Sequence, residues 1–236
     1  MKIAHRSDGP GRRVILVHGT RANAADFAAA TDLLRDLDVI AYHRSGWAPS
    51  EMLAITPMSV REHADELLEL TGGVPTVAVG HSWGGHVVLD AAIRRPDLIE
   101  GVALWETVLP WVPEWDPWFS EFMLKSARDV AARPAASDWQ RCERERYRSE
   151  IEQIAKPPYE LSELRVPCLL GHGTATSTIQ SIRSGTSGLS TAIGAELFIG
   201  AGVGHDVHRE APAVFAAFVR RAVALTEGTA DYVGGQ

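Results

Sequence analysis

The stretch Gly80-His81-Ser82-Trp83-Gly84-Gly85 sets a serine among small residues in the pattern G-x-S-x-G. Thr76-Val77-Ala78-Val79 before it is β-prone, and His86-Val87-Val88-Leu89-Asp90-Ala91-Ala92 after it has helical spacing. A serine on such a strand-to-helix turn is held in a strained, exposed position, and the glycines let the backbones close in on it. Its hydroxyl then stands at the carboxyl edge of a sheet and the amino end of a helix, whose free N–H groups favour developing negative charge. That is where an acyl-transfer nucleophile belongs, so serine hydrolase chemistry is the first implication.

A serine hydroxyl is a weak nucleophile at neutral pH unless a base lies within hydrogen-bond reach. His205 is the candidate base, in Gly202-Val203-Gly204-His205-Asp206-Val207-His208, on the loop between the last expected strand and the last expected helix. His208 is the nearest rival and is assigned to capping that helix or lining the edge of the site. The oxyanion of a tetrahedral intermediate needs two preorganised N–H donors. The backbone of Trp83, directly after the nucleophile, is one. The other comes from Val17-His18-Gly19-Thr20-Arg21, with Thr20 ranked first and Arg21 second, while His18 is expected to hold the loop. His81 and His86 lack the spacing of a helical ligand pair, so no metal is expected, and no cofactor is implied.

These residues need a scaffold. Residues 13–18, 39–42, 76–79, 101–105, 167–170 and 196–199 read as buried strands, and residues 26–37, 59–70, 86–95 and 209–225 as helices between them. Ser59 with Glu62 three residues later marks a helix start. Alternating buried strands and helices imply an α/β fold, a mostly parallel sheet flanked by helices on both faces. The alternation stops between residues 107 and 164, which are charged, helical in pattern and rich in tryptophan: five of the seven tryptophans fall between Trp105 and Trp139. This segment reads as a helical cap inserted into a core made of residues 1–106 and 165–236. Trp111, Trp115 and Trp118 are expected to line an apolar pocket under it. The tail beyond Gly228 is expected to fray.

At 236 residues the chain fits one domain with a sizeable core. A net charge of −7 argues against a nucleic-acid partner. Two cysteines, Cys142 and Cys168, far apart, do not make a disulfide framework. No apolar run of about 18 residues marks a membrane span, and the polar start carries no signal peptide, so a cytoplasmic location is expected.

Three features together resemble the α/β-hydrolase superfamily: His18-Gly19, the elbow at 80–84, and His205 followed by Glu210 and Pro212. The resemblance covers nearly the whole chain and implies the α/β-hydrolase fold. Tyr42-His43-Arg44-Ser45-Gly46-Trp47-Ala48-Pro49-Ser50 is similar to the superfamily's Asp-x-x-Gly-x-Gly-x-Ser turn, with His43 where the aspartate stands. The superfamily usually carries the triad acid after the strand that follows the cap, in a pattern like His-Gly-x-x-Asp. Here His172-Gly173-Thr174-Ala175-Thr176 puts Thr176 at that place, and no carboxylate occurs from Gly171 to Ala195. Some branches, haloalkane dehalogenases and zearalenone-type lactonases among them, carry the acid at the end of the strand before the cap. On that resemblance Glu106 is the acid, in the order Ser82, Glu106, His205; Asp206, beside the base, ranks low. A dehalogenase or epoxide hydrolase would need a carboxylate nucleophile, which Ser82 is not.

The expected activity is cofactor-independent hydrolysis of a medium-sized apolar ester or lactone through an acyl-enzyme on Ser82. A ligand receptor with little turnover is the alternative from another class, and a carbon–carbon bond hydrolase or lyase is a third. A hydroxynitrile lyase would want a cation above the nucleophile, and the sequence does not place Lys125 or Arg128 there. The tryptophan-rich segment could equally serve as a homodimer surface.

Overall fold

The computed structural model describes residues 2–49, 57–112, 115–176 and 179–233. Seven strands, β1 (Lys2–Asp8), β2 (Arg13–Val17), β3 (Asp38–His43), β4 (Thr76–His81), β5 (Ile99–Trp105), β6 (Cys168–Gly173) and β7 (Glu196–Gly200), form one sheet. Their order is β1-β3-β2-β4-β5-β6-β7. β1 runs antiparallel to β3 and the other neighbours are parallel. The sheet is apolar on both faces because both are covered. Val14 and Leu16 of β2 enter one core layer while Ile15 and Val17 enter the other, and Ala103 and Trp105 of β5 likewise oppose Val102 and Leu104.

One face carries α2 (Val60–Leu70), α3 (Gly84–Arg94) and α6 (Ile179–Ile193). The other carries α1 (Ala28–Asp32) and α8 (Pro212–Val233), which follows the short α7 (Val207–Glu210). Between β5 and β6 the chain makes two helices, α4 (Pro117–Ala131) and α5 (Asp138–Ile154), packed on one another. Each starts on a side-chain cap: Asp116 accepts from Trp118 N–H, with Pro117 in the first turn, and Ser137 accepts from Gln140 N–H. Ser59 and Glu62 form the expected capping box at α2. Among the described residues no helix is long and apolar enough to cross a membrane.

Several elements depart from the sequence reading. The helix expected over residues 26–37 is a 3₁₀ turn, Ala24–Phe27, then α1, then tight turns closed by Leu33→Ala30, Leu34→Thr31 and Leu37→Leu34 backbone bonds. Bonds three residues apart tighten the path and hand the chain to β3 early. The C-terminal helix is broken at Ala211, where Pro212 opens α8, and α8 continues through Gly228 to Val233. β1 and α6 had no expectation at all. β1 is a polar edge strand. α6 is rich in Ser, Thr and Gly, weak helix formers, and the Trp115 ring packs so closely that a Cβ on its Gly185 would sit 1.7 Å away.

The crossing of β4 and α3 at the elbow is equally close. A Cβ on Gly84 would lie 2.3 Å from the Val17 carbonyl oxygen, and one on Gly80 2.4 Å from Gly85 Cα. Gly84→Ala therefore has backbone to displace. We expect it to lose about 2 kcal/mol of stability although alanine favours helix over glycine by about 1 kcal/mol. A urea-denaturation midpoint that moves down at constant slope would register this.

Candidate active site

The carboxyl ends of β2, β4, β5 and β6 and the loop after β7 supply the site. Ser82 follows β4 and Glu106 follows β5, and the two are laced to neighbouring strands by Ser82 N–H to Trp105 O at 2.8 Å and Glu106 N–H to Gly171 O at 2.9 Å. Among the described residues three non-glycines have positive φ: Arg21 (56°), Ser82 (53°) and Glu106 (45°). Arg21 and Ser82 line one cleft, and Glu106 lies behind it, hydrogen-bonded to His205. Such backbone persists only where its surroundings over-determine it, and it gathers at functional sites.

Glu106 is buried and its carboxylate is fully engaged. Oε2 accepts from His205 Nδ1 at 2.8 Å, and Oε1 accepts from Gly173 N–H at 2.9 Å and from Thr176 Oγ1 at 2.5 Å. Burial by itself raises the carboxyl's pKa. The hydrogen bond and charge of His205, with the donors Thr176 and Gly173, outweigh it and hold the group below the usual glutamate range. Thr176, at the place where the superfamily pattern wants an aspartate, thus donates to the carboxylate that stands one strand over. The loop bearing His205 rests on β6: Ala175 N–H reaches Val203 O at 2.9 Å, and a Cβ on Gly173 would lie 2.0 Å from the same oxygen.

His205 packs on the imidazole of His81, 4.6 Å away between ring centroids, and His208 packs on the far side of the row, 4.4 Å from His81. Burial, then the neighbouring histidines, keep His81 neutral, and its Nε2 donates to the His205 carbonyl at 2.9 Å. Burial pushes His208 down to about 4. Both rings are therefore uncharged supports. The 41 % exposed side chain of His205 stays accessible from the cleft. Among the described residues no hydrogen bond joins it to the Ser82 hydroxyl, a contact that commonly tightens only around substrate.

The loop after β2 is held from behind by Arg44, whose fully buried guanidinium donates to His18 O and Gly19 O, both at 3.0 Å, and to Glu150 of α5 at 2.7 and 3.4 Å. His18 completes the brace: its Nε2 accepts from Arg44 N–H at 3.1 Å, which leaves Nδ1 to donate to Gly19 O at 2.8 Å. Burial and then the Arg44 charge hold His18 well below the normal imidazole range, so it is neutral. In a trans peptide the C=O and the following N–H point opposite ways. With Gly19 O turned to Arg44, the Thr20 N–H faces the cleft. Among the described residues neither the Thr20 nor the Trp83 amide finds an acceptor.

Ser82 and His205 open on two cavities. One, about 240 Å³, is polar and includes Thr20, Arg21, Asp26, His208 and Arg209. The other, about 470 Å³, is walled by Val108, Phe119, Phe122, Met123, Tyr147 and Ile182. The three tryptophans expected there stand elsewhere. Trp111 walls a separate cavity, Trp115 is buried against Val108, Phe119 and Ile182, and Trp118 is 61 % exposed, stacked on Phe122. Trp111 and Trp115 lie before α4, and for Trp118 the reason is helical register. Phe119, Phe122, Met123 and Ser126 recur at i, i+3, i+4 and i+7, the stripe of α4 that faces the cavity, and Trp118 falls off it. That period was present in the sequence and would have found them. Lys125 and Arg128 are exposed and paired with Asp129 and Glu152.

A model of the alpha/beta hydrolase family matches residues 14–218. The chain is 34% identical over 100 residues, 40% of its own length, to YugF of Bacillus subtilis, an uncharacterized hydrolase of which the match spans 37%. Among solved structures it is similar to a thermophilic esterase from Thermogutta terrifontis, with TM-score 0.73, 19% identity, and 94% of this chain and 92% of that one covered. It is also similar to the enol-lactonase of Burkholderia xenovorans, with TM-score 0.68, 22% identity, and 94% and 95% covered. At such identities the structural likeness speaks for the fold.

Glu150 offers a direct test of the brace behind the loop. Burial raises its pKa, but the Arg44 charge and hydrogen bond, followed by His63 and Trp47, leave it below the usual value. Its contribution is thus complete above the ordinary glutamate pKa of about 4.3 and is lost as pH falls through the lowered folded value. Glu150→Gln strands a buried guanidinium and is expected to cost about 3–5 kcal/mol at neutral pH. It should also flatten the acid limb of stability against pH, read from denaturant midpoints across the acid range.

Proposed function

The chain belongs to the alpha/beta hydrolase family, and from that premise we propose that it is a serine hydrolase cleaving an ester or lactone of an apolar, medium-sized acid. The observation that carries the reading is the 2.8 Å bond from His205 Nδ1 to Glu106, in a cleft shared with Ser82 on its left-handed turn. Glu106 fixes the imidazole with its proton on Nδ1 and Nε2 free to accept. Ser82 Oγ attacks the carbonyl carbon as Nε2 takes its proton. The oxyanion settles between the Thr20 and Trp83 amides. Collapse of the intermediate expels the alkoxide, which takes the proton from Nε2. Water, deprotonated by the same nitrogen, then attacks the acyl-enzyme and releases the acid. The hydrophobic wall of the larger cavity supports an apolar acyl group. The two helices between β5 and β6 serve as the cap that closes it. The acid's place after β5, as in zearalenone-type lactonases, keeps lactones in the substrate panel.

The open Ser82–His205 contact favours a second reading, a binding protein of the same fold with little turnover. Fluorophosphonate labelling separates the two. We expect stoichiometric labelling that Ser82→Ala abolishes, with hydrolysis of esters or lactones lost in parallel. A folded wild type that takes no label would move the binding reading to the front.

Glu106→Gln tests the acid. Gly173 N–H and Thr176 Oγ1 both donate to the Oε1 position, so the amide oxygen must stay there and the amide NH₂ must face His205 Nδ1. That forces the proton onto Nε2, the wrong tautomer for a base. We expect kcat/KM about 10³–10⁴-fold lower with the melting transition still cooperative. Turnover near that of wild type would remove Glu106 from the triad.

A further inference from the structure

Val108 and Met123 line the catalytic cavity on one side and, on the other, a separate apolar chamber of about 220 Å³. The chamber lies between α4, α5 and the loop after β5, walled by Trp111, Leu124, Ile151 and Ile154. Protein interiors pack at the density of organic crystals and hold few voids much larger than a water. This one is half open and lined almost wholly by apolar side chains, which suits an apolar ligand. Ser120 brings the wall's one hydroxyl, and its Oγ has no partner among the described residues, so packing of the helices has not been optimised at this place.

Resting on the serine hydrolase reading, we propose that the chamber is a distal acyl subsite and that Met123 sets the acyl length the enzyme accepts. The substrate class is esters of unbranched, medium-length fatty acids. The acyl group, attached at Ser82, lies along Phe119 and Ile182 in the first cavity. Its end passes between Val108 and Met123 and comes to rest against Trp111, Ile151 and Ile154. Methionine, unbranched and with three rotatable bonds past Cα, can swing aside for such a chain where leucine or valine could not. A branched or ring-bearing acyl group is stopped at the partition. The polar cavity on the opposite side of Ser82, with Arg21, Asp26 and Arg209, takes the departing alcohol, which leaves the apolar side for the acid.

Two p-nitrophenyl and alkyl ester series test this, read as kcat/KM. In the acyl series, from acetate to decanoate on one alcohol, wild type should rise with chain length. Ser120→Leu projects an isobutyl group into the chamber, removes an unpartnered hydroxyl and places a better helix former in α4, so it should fold. It should lower the octanoate-to-acetate ratio at least tenfold. Met123→Ala should raise the decanoate-to-acetate ratio. In the alkyl acetate series, in which only the alcohol lengthens, the long-to-short ratio should stay that of wild type in both variants, whatever the absolute rates. Unaltered acyl ratios in both variants, with fluorophosphonate labelling intact, would overturn the subsite while leaving the serine hydrolase reading standing. A shift of the long-to-short ratio in the alkyl acetate series instead would also overturn it. Absence of labelling and of all ester hydrolysis in wild type would overturn the serine hydrolase reading, and the subsite with it.

Discussion

The buried pair of Arg44 and Glu150 is the constraint on which the cleft is built. A guanidinium taken out of water needs compensation on every side, and here it receives it from three parts of the chain. The His18 and Gly19 carbonyls come from the loop after β2, the carboxylate comes from α5, and the Trp83 ring, 4.5 Å away, comes from the residue after the nucleophile. Glu150 in turn accepts from Trp47 Nε1 through its side chain and from Trp83 Nε1 through its backbone, both at 2.8 Å. The net energy of such a pair against an apolar replacement is near zero, but removing one partner is costly, and the pair ties loop, elbow and inserted helix to one another. Arg21 with Glu143, seven residues earlier on α5, repeats the link at the surface.

The carboxylate that orients His205 shows how a fold relocates a function without moving its geometry. β5 and β6 are neighbours, so a side chain at either carboxyl end can reach the same imidazole. Placing the acid after β5 forces Glu106 into a left-handed backbone that glutamate adopts only at a cost of about 1–3 kcal/mol. The bonds from Gly173, Thr176 and His205 offset it. The usual site is not left vacant. Threonine keeps a hydrogen-bonding role there at neutral charge, and two carboxylates are never brought into competition for one histidine.

What could be read from the chain without its structure followed from local rules. The elbow is legible because its glycines, the β-prone run and the helical run all sit within about 20 residues of sequence. Buried parallel strands are legible because both faces are covered and their runs are uniformly apolar. The placing of Glu106 beside His205 followed from its position at the end of β5, once Thr176 stood where an acid was wanted. The failures were of long range or of direction. Arg44 and Glu150 lie 106 positions apart, and nothing local to either marks the other. The tryptophans announce an apolar segment but not which way each ring turns: Trp115 turns into Gly185 and Trp118 into solvent. α6 escaped because its composition opposes helix, and only packing against its neighbours makes it one. β1 escaped because an edge strand with Arg6 and Asp8 needs no apolar face to pair with β3.

The span of these contacts also bears on when the cleft comes into being during synthesis. The nucleophile and the loop beside it are made early, yet the loop waits for residue 150, and the carboxylate at 106 waits for 173, 176 and 205. A ribosome-bound chain two-thirds complete would hold the serine with neither its histidine nor a braced backbone around it. The contacts that bring Ser82, Glu106 and His205 to one cleft therefore form only once nearly the whole polypeptide has emerged and docked.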